Sequence, residues 1–332
     1  LAAYVGVKHC ITCGNGTDAL QLALMAWNLD EKDAVFVPDF TFFSTGEVVP
    51  WVKAVPVFVD VDKDTFNISP EALEQAVQNV LKEGKLIPKV VIAVDLFGQP
   101  ADFVRIREIA EKYHMLLLED GAQGFGGSID GKKACSFGDI SITSFFPSKP
   151  LGCYGDGGAV FTDNDEWAKL ICSYKVHGKG TDKYDNVRIG MNSRLDTIQA
   201  AVLLEKLNLL DEEVAGCQQS AEIYTSLLQN DVVTPVIMPH AVSSWAQYTI
   251  RFTGSEQREK VIQHLKAEEI PTAVYYRKPM HAQKAFRDVY MWNEKNTYKI
   301  TEKICETCLS LPMHPYLCRS DIERICSALK RD

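Results

Sequence analysis

Thr-Ser-Phe-Phe-Pro-Ser-Lys-Pro-Leu-Gly-Cys-Tyr-Gly-Asp-Gly-Gly, residues 143–158, runs the end of an apolar strand into a lysine and then a glycine-rich turn. The strand reads from Ile140 to Phe146 and is closed by Pro147. Lys149 sits between Ser148 and Pro150, and Pro150 restricts its backbone to extended conformations. Gly152, Gly155, Gly157 and Gly158 follow, residues that let backbone approach a ligand closely. A second strand reads from Ala159 to Thr162. A lysine fixed at a strand end among apolar neighbours is in the setting for a depressed pKa and for use as an amine nucleophile.

Outward from this stretch, strands and helices alternate. Towards the N-terminus, strands read at His9–Cys13, Val35 to Pro38, Val55 to Val61, Val90 to Asp95 and Met115 to Leu118. Helices read between them, from Thr17 to about Asn28, Phe43 to Val52, Pro70 to about Glu83, and Asp102 to His114. Ser69 is the expected N-cap of the third helix, with Pro70 at its first position. Apolar strands alternating with helices predict an α/β fold with a mostly parallel sheet covered on both faces. Ligands of such sheets sit outside the carboxyl ends of the strands. Residues 14–17, 120–123 and 144–149 all follow strand ends, so they are expected to converge on one edge.

Beyond about Arg194 the pattern changes to a long helix or helix pair reaching Leu228, with a second unit starting near Asp211 to Val214. That unit reads as α+β: a strand from Trp245 to Phe252, a helix from Glu256 to Glu269, a strand from Thr272 to Tyr276 and a closing helix from Ser320 to Leu329. The expected division is a large domain, 1–212, and a smaller C-terminal domain, 213–332.

The 332 residues are 46% hydrophobic, an ordinary globular composition. A net charge of −9 argues against nucleic acid as a partner, so an anionic ligand must be held by local groups. No apolar run reaches the roughly 18 residues of a membrane span. Ten cysteines without a signal peptide read as reduced, cytoplasmic thiols. Cys10/Cys13 and Cys305/Cys308 have metal-like spacing but no ordered array around them, and no metal site is expected.

Gly14-x-Gly16-x-x-Ala19, between a strand and a helix, is a variant of the dinucleotide fingerprint, with Asp39 as its candidate acid. More generally, a glycine turn at a helix N-terminus offers free N–H groups and a positive dipole end to a phosphate near Gly16, Thr17 and Asp18. Asp120 closes an apolar strand, where a carboxylate needs a partner. A cationic ring nitrogen is one, and Gln123 is placed to reach the same ring's oxygen. A phosphate cradle, a carboxylate and a lysine at strand ends of one sheet are the parts of a pyridoxal phosphate site. Phe42 is the candidate ring-stacking aromatic, with Phe40 and Phe43 as competitors.

These residues carry a family resemblance. Gly14-Asn15-Gly16-Thr17-Asp18-Ala19-Leu20, Pro38-Asp39-Phe40-Thr41-Phe42, Glu119-Asp120-Gly121-Ala122-Gln123 and Ser144-Phe145-Phe146-Pro147-Ser148-Lys149 resemble motifs of the DegT/DnrJ/StrS sugar aminotransferases. Gly155-Asp156-Gly157-Gly158 and Gly190-Met191-Asn192-Ser193-Arg194-Leu195-Asp196 extend the likeness over nearly the whole chain. The resemblance implies a fold-type-I, aspartate-aminotransferase-like architecture and pyridoxal 5'-phosphate as cofactor. Lys149 then bonds the cofactor, Asp120 holds its ring nitrogen, Gln123 lies at its ring oxygen and Phe42 stacks on it. Gly16, Thr17, Asp18 and Ser144 contact its phosphate, and Asn192 enters from the other subunit of a homodimer with a shared active site. A lysine rather than a histidine at position 149 implies amino transfer rather than dehydration.

Residues 147–158, Pro271-Thr272-Ala273-Val274 and residues 310–316 look like the subgroup that aminates C3 of UDP-2-acetamido-2-deoxy-3-oxo-glucuronate for O-antigen sugars. Glutamate is the implied donor. Tyr275, Tyr276 and Arg277 stand where this subgroup carries His-Tyr-Pro, a region expected to meet the nucleotide sugar; Arg194, Arg277 and Lys278 are candidate cations for its diphosphate or carboxylate. Leu1 is not a start methionine, and the family's first few dozen residues have no counterpart here, so the natural N-terminus is expected upstream. The alternatives are a C4 aminotransferase on a UDP- or dTDP-4-keto-6-deoxy sugar, an NAD-dependent dehydrogenase using the Gly14 fingerprint, and a non-catalytic regulatory protein on the same fold.

Overall fold

The computed structural model describes all residues except 183, 288, 290–296, 331 and 332. Its main sheet has seven strands in the order His9–Cys13, Gly158–Thr162, Ile140–Ser144, Leu116–Asp120, Ile87–Val94, Asp33–Pro38, Val55–Val59. Five neighbours, from Ile140–Ser144 to Val55–Val59, run parallel; Gly158–Thr162 pairs antiparallel with the strands on either side of it. The α/β architecture with a mostly parallel sheet is therefore as the sequence predicts.

The strand Asp33–Pro38 explains how the layers form. All six residues are buried, as a parallel strand covered on both faces requires. Val35 and Val37 pack into one apolar layer with helices Gly16–Ala26, Ser44–Trp51 and Asp165–Tyr174. Ala34 and Phe36 point the other way, to helices Pro70–Glu83 and Phe103–Lys112. Helix Pro70–Glu83 buries Leu73, Ala76, Val77 and Val80, spaced i, i+3, i+4 and i+7. Ser69 caps it by accepting from the Ala72 N–H, and Gly84 ends it in the left-handed region at φ 70°.

The C-terminal elements make their own apolar cluster. Helices Leu210–Leu228, Ser255–Ala267 and Arg319–Leu329 pack with the antiparallel pair Tyr248–Arg251 and Cys308–Leu311. Two strand expectations need correction. The strand expected from Trp245 to Phe252 is limited to Tyr248–Arg251. Thr272 to Tyr276 is not a strand: Ala273 alone pairs, exchanging two backbone hydrogen bonds with Ser310. The chain then leaves the sheet edge, because the Tyr276 ring packs edge-on against Phe40 at 5.8 Å. Helices Asp165–Tyr174 and Lys299–Thr307 and strand Cys308–Leu311 lie outside the sequence expectations.

Candidate active site

The carboxyl ends of the parallel strands gather the motif residues, as expected. Asp120 is the last residue of its strand, opposite Val94 on one neighbour and Ile142 on the other. Strand alternation sorts the two adjacent acids. Glu119 points away and is held by the Phe137 N–H and the Ser141 hydroxyl, both at 2.7 Å. Asp120 instead faces a cavity of about 690 Å³.

That cavity brings together Gly16, Thr17, Asp18, Phe42, Asp120, Gln123, Ser144 and Lys149, and adds Tyr275 and Tyr276 from the C-terminal part of the chain. Asn192, Arg194 and Arg277 are not among its lining residues. Asn192 and Arg194 are exposed elsewhere on the surface, and Arg277 pairs with Glu259 at 2.9 Å.

At the glycine end, helix Gly16–Ala26 begins against the strand that leads to Lys149. A Cβ built on Gly16 would lie 2.8 Å from the Ser144 Cβ, and one on Gly158 would lie 2.5 Å from the Asn15 carbonyl oxygen. Both glycines are therefore required by close approach. The Asn15 side chain accepts from the Asp18 N–H at 2.8 Å, leaving the earlier first-turn N–H groups without intrahelical partners. Thr17 and Ser44 hydroxyls meet at 2.7 Å, and the Asp18 carboxylate accepts from Ser193 Oγ at 2.6 Å.

Asp120 and Lys149 each support the other's charged form against burial. Burial pushes the Asp120 carboxyl up; the Thr45 hydroxyl, the Ala122 N–H and the Lys149 charge act against that. Burial pushes the Lys149 amine below its ordinary value, while the Asp120 charge supports its protonated form. Gln123 accepts from the Phe97 N–H at 2.7 Å and donates to the Tyr276 hydroxyl at 3.3 Å, and burial raises the pKa of that hydroxyl.

Three residues escaped the sequence reading. Thr45 donates to Asp120 Oδ2 at 2.9 Å, and its hydroxyl lies 3.1 Å from that of Thr41. Gln247 reaches the cavity from the C-terminal elements. His281 binds Asp39 twice, through its N–H at 2.8 Å and Nδ1 at 2.7 Å, and so anchors the segment that follows Tyr275 and Tyr276. The last contact also corrects the dehydrogenase alternative: Asp39 is fully buried and committed to His281, so it is not free to bind a ribose.

A doubly covered, mostly parallel sheet whose carboxyl edge joins a buried carboxylate, a lysine and a glycine-opened helix N-terminus defines a fold-type-I aminotransferase architecture. Residues 1–330 match the DegT/DnrJ/EryC1/StrS aminotransferase family, and the chain belongs to that family. It is 46% identical over 330 residues to UDP-2-acetamido-2-deoxy-3-oxo-D-glucuronate aminotransferase of Pseudomonas aeruginosa, covering 99% of this chain and 88% of that one. The crystal structure of a DegT DnrJ EryC1 StrS aminotransferase from Brucella abortus superposes with a TM-score of 0.95 at 47% identity, over 99% of this chain and 87% of that one. NtdA of Bacillus subtilis, solved with bound cofactor PMP, superposes with a TM-score of 0.87 at 29% identity, over 99% and 75% of the two chains.

Proposed function

We propose that the protein uses pyridoxal 5'-phosphate to move an amino group from glutamate to a nucleotide-linked keto sugar, at C3 of UDP-2-acetamido-2-deoxy-3-oxo-glucuronate. The observation that carries this is the convergence of Lys149, Asp120 and the Gly16 helix N-terminus on one cavity, in a chain so similar to the Pseudomonas enzyme. The reaction takes place in the cytoplasm and serves O-antigen or another surface polysaccharide.

The residues fit the cofactor. The space a Cβ on Gly16 would fill lies beside Ser144, at a helix N-terminus suited to a phosphate. Asp120 is a buried carboxylate whose pKa burial raises, and a cationic ring nitrogen is a partner that would favour its ionised form. When bound, pyridoxal phosphate supplies the carbon that carries the amino group and a ring that accepts electrons as a C–H proton leaves.

The chain's own residues do the rest. Lys149 would bond the cofactor; its Nζ, once free, would take the donor's α-proton and pass it to the carbon that receives the amino group, a role favoured by the lowered pKa of the amine. Asp120 keeps the ring nitrogen protonated, and Thr45 orients Asp120. Phe42 would cover one face of the ring and Gln123 would hold its oxygen. Gly16, Thr17, Asp18 and Ser144 hold the phosphate.

Tyr275 and Tyr276 meet the nucleotide sugar, with Arg194 and Arg277 as its cationic partners. Among the described residues lining the cavity, Lys149 is the one cation, facing Asp18, Asp120 and Asp156. An anionic nucleotide sugar therefore needs charge from elsewhere, which supports a homodimer whose second copy contributes Asn192 and Arg194. We further assign residues 1–212 to a cofactor-binding domain and 213–332 to a smaller domain.

The test is a substrate panel. Protein first reacted with glutamate is given UDP-3-keto and UDP- or dTDP-4-keto sugars, and the products are read by nuclear magnetic resonance. Amination at C3 of the keto-glucuronate is expected. Amination of the 4-keto sugars alone would overturn the C3 assignment.

A further inference from the structure

We propose that Gln247 is a specificity residue whose side-chain amide binds the sugar ring of the substrate, an inference that rests on the nucleotide-sugar reading above. Gln247 lines the same cavity as Lys149, Tyr275 and Tyr276. Its Oε1 is buried and has no hydrogen-bond partner among the described residues. Buried polar atoms in folded proteins are nearly always paired, so an orphan acceptor on a side chain that lines both the Lys149 cavity and a small second cavity beside Phe97 and Trp245 is open to a ligand donor.

The surroundings show why this amide is still available. Several other polar side chains of the cavity are already hydrogen-bonded: Thr17 to Ser44, Asp18 to Ser193, Gln123 to Phe97 and Tyr276, and Asp120 to Thr45. Gln247 is also held rigidly. Its N–H donates to the Phe97 carbonyl at 3.3 Å, and Ser244 donates through its N–H to Gly98 O at 2.9 Å and through Oγ to Gln123 O at 2.7 Å. Gly98 has φ 106°, and a Cβ there would lie 2.6 Å from the Trp245 nitrogen. The turn at Phe97 and Gly98 therefore splints the loop that carries Gln247 to the carboxyl edge of the main sheet. A preorganised amide of this kind gives specificity at little ordering cost.

The chemistry of the orphan atom narrows the ligand. An acceptor has nothing to gain from a phosphate or a carboxylate, which are themselves acceptors. It needs an O–H or N–H, and a hexosamine ring offers both a hydroxyl and an acetamido N–H. Loss of such a bond rejects ligands that cannot satisfy the pocket.

The experiment measures binding to the cofactor-loaded protein by titration calorimetry, with UDP-N-acetylglucosamine, UDP-glucose and UDP as probes. Gln247→Leu is expected to weaken UDP-N-acetylglucosamine binding about tenfold, the scale of one hydrogen bond, and to leave UDP binding unchanged. An equal loss on UDP-glucose assigns the donor to a hydroxyl; a loss confined to UDP-N-acetylglucosamine assigns it to the acetamido N–H. Either result supports the proposal. An unchanged affinity for UDP-N-acetylglucosamine overturns it, and so does an equal loss for UDP. Wild-type protein that binds neither sugar nucleotide overturns the nucleotide-sugar reading itself, a failure seen without any variant. Retention of the cofactor's visible absorption band verifies folding, and Gln247→Met is the second variant if Gln247→Leu does not fold.

Discussion

Thr45 Oγ1 donates to Asp120 Oδ2 across 2.9 Å, tying the first turn of helix Ser44–Trp51 to the last residue of strand Leu116–Asp120. Both residues are buried. The bond favours the ionised form of Asp120, against the upward push that burial gives its pKa. Thr45→Val keeps the shape and removes the donor. We expect a loss of about 1–3 kcal/mol in stability and a glutamate half-reaction slowed about tenfold. Thermal unfolding and stopped-flow absorbance check this; an unchanged half-reaction would deny Thr45 its orienting role.

Gly16 admits no side chain, because a Cβ there would lie 2.8 Å from Ser144 Cβ, and it is the residue we propose for the phosphate cradle. Gly16→Ala must push the helix N-terminus and the Ser144 strand apart, at a cost of about 1–3 kcal/mol. The affinity for pyridoxal phosphate, measured by equilibrium dialysis, should fall about tenfold, the equivalent of about 1.4 kcal/mol. Wild-type affinity in this variant would place the phosphate elsewhere.

Burial lowers the Lys149 pKa from the 10.5 of an ordinary lysine. Between the lowered folded value and 10.5, the unfolded chain binds more protons here than the folded chain, so this residue makes stability rise with pH through that window. Lys149→Met removes the contribution. In cofactor-free protein, the stability of wild type relative to this variant should increase as pH rises towards 10.5, followed by thermal unfolding. A difference that stays flat across the window would mean that the amine is solvated.

Complementation tests the shared site. Lys149→Ala and Asn192→Ala are each expected to be inactive alone. Mixed, unfolded and refolded together, they should recover about a quarter of wild-type activity, because half of the dimers are mixed and each mixed dimer has one intact site. No recovery would place Asn192 in the same subunit's site or outside it.

Much of this was legible in the sequence, because the signals were local. Strand Asp33–Pro38 is apolar from Ala34 onward, and Ser69 and Pro70 open a helix with its expected cap. Lys149, Asp120 and Gly16 each follow a strand end, and parallel topology brings strand ends to one edge. What escaped depends on distant contacts. Thr45 matters because helix Ser44–Trp51 passes over a strand 75 positions later in the chain. Gln247 matters because the turn at Phe97 and Gly98 catches its loop. Thr272 to Tyr276 has a strand's composition, yet the docking of Tyr276 on Phe40 leaves Ala273 alone paired. No local pattern carries such pairings.

The central claim is that Lys149 and Asp120 form a working pyridoxal phosphate site. Its most direct test is the visible absorption spectrum of wild type and Lys149→Ala, each loaded with pyridoxal phosphate, before and after glutamate. Wild type is predicted to show a lysine-dependent visible band that bleaches with glutamate and returns when the keto sugar is added, while Lys149→Ala shows neither the band nor the response. A wild-type protein that stays colourless with pyridoxal phosphate, or a Lys149→Ala protein that cycles like wild type, would contradict the account.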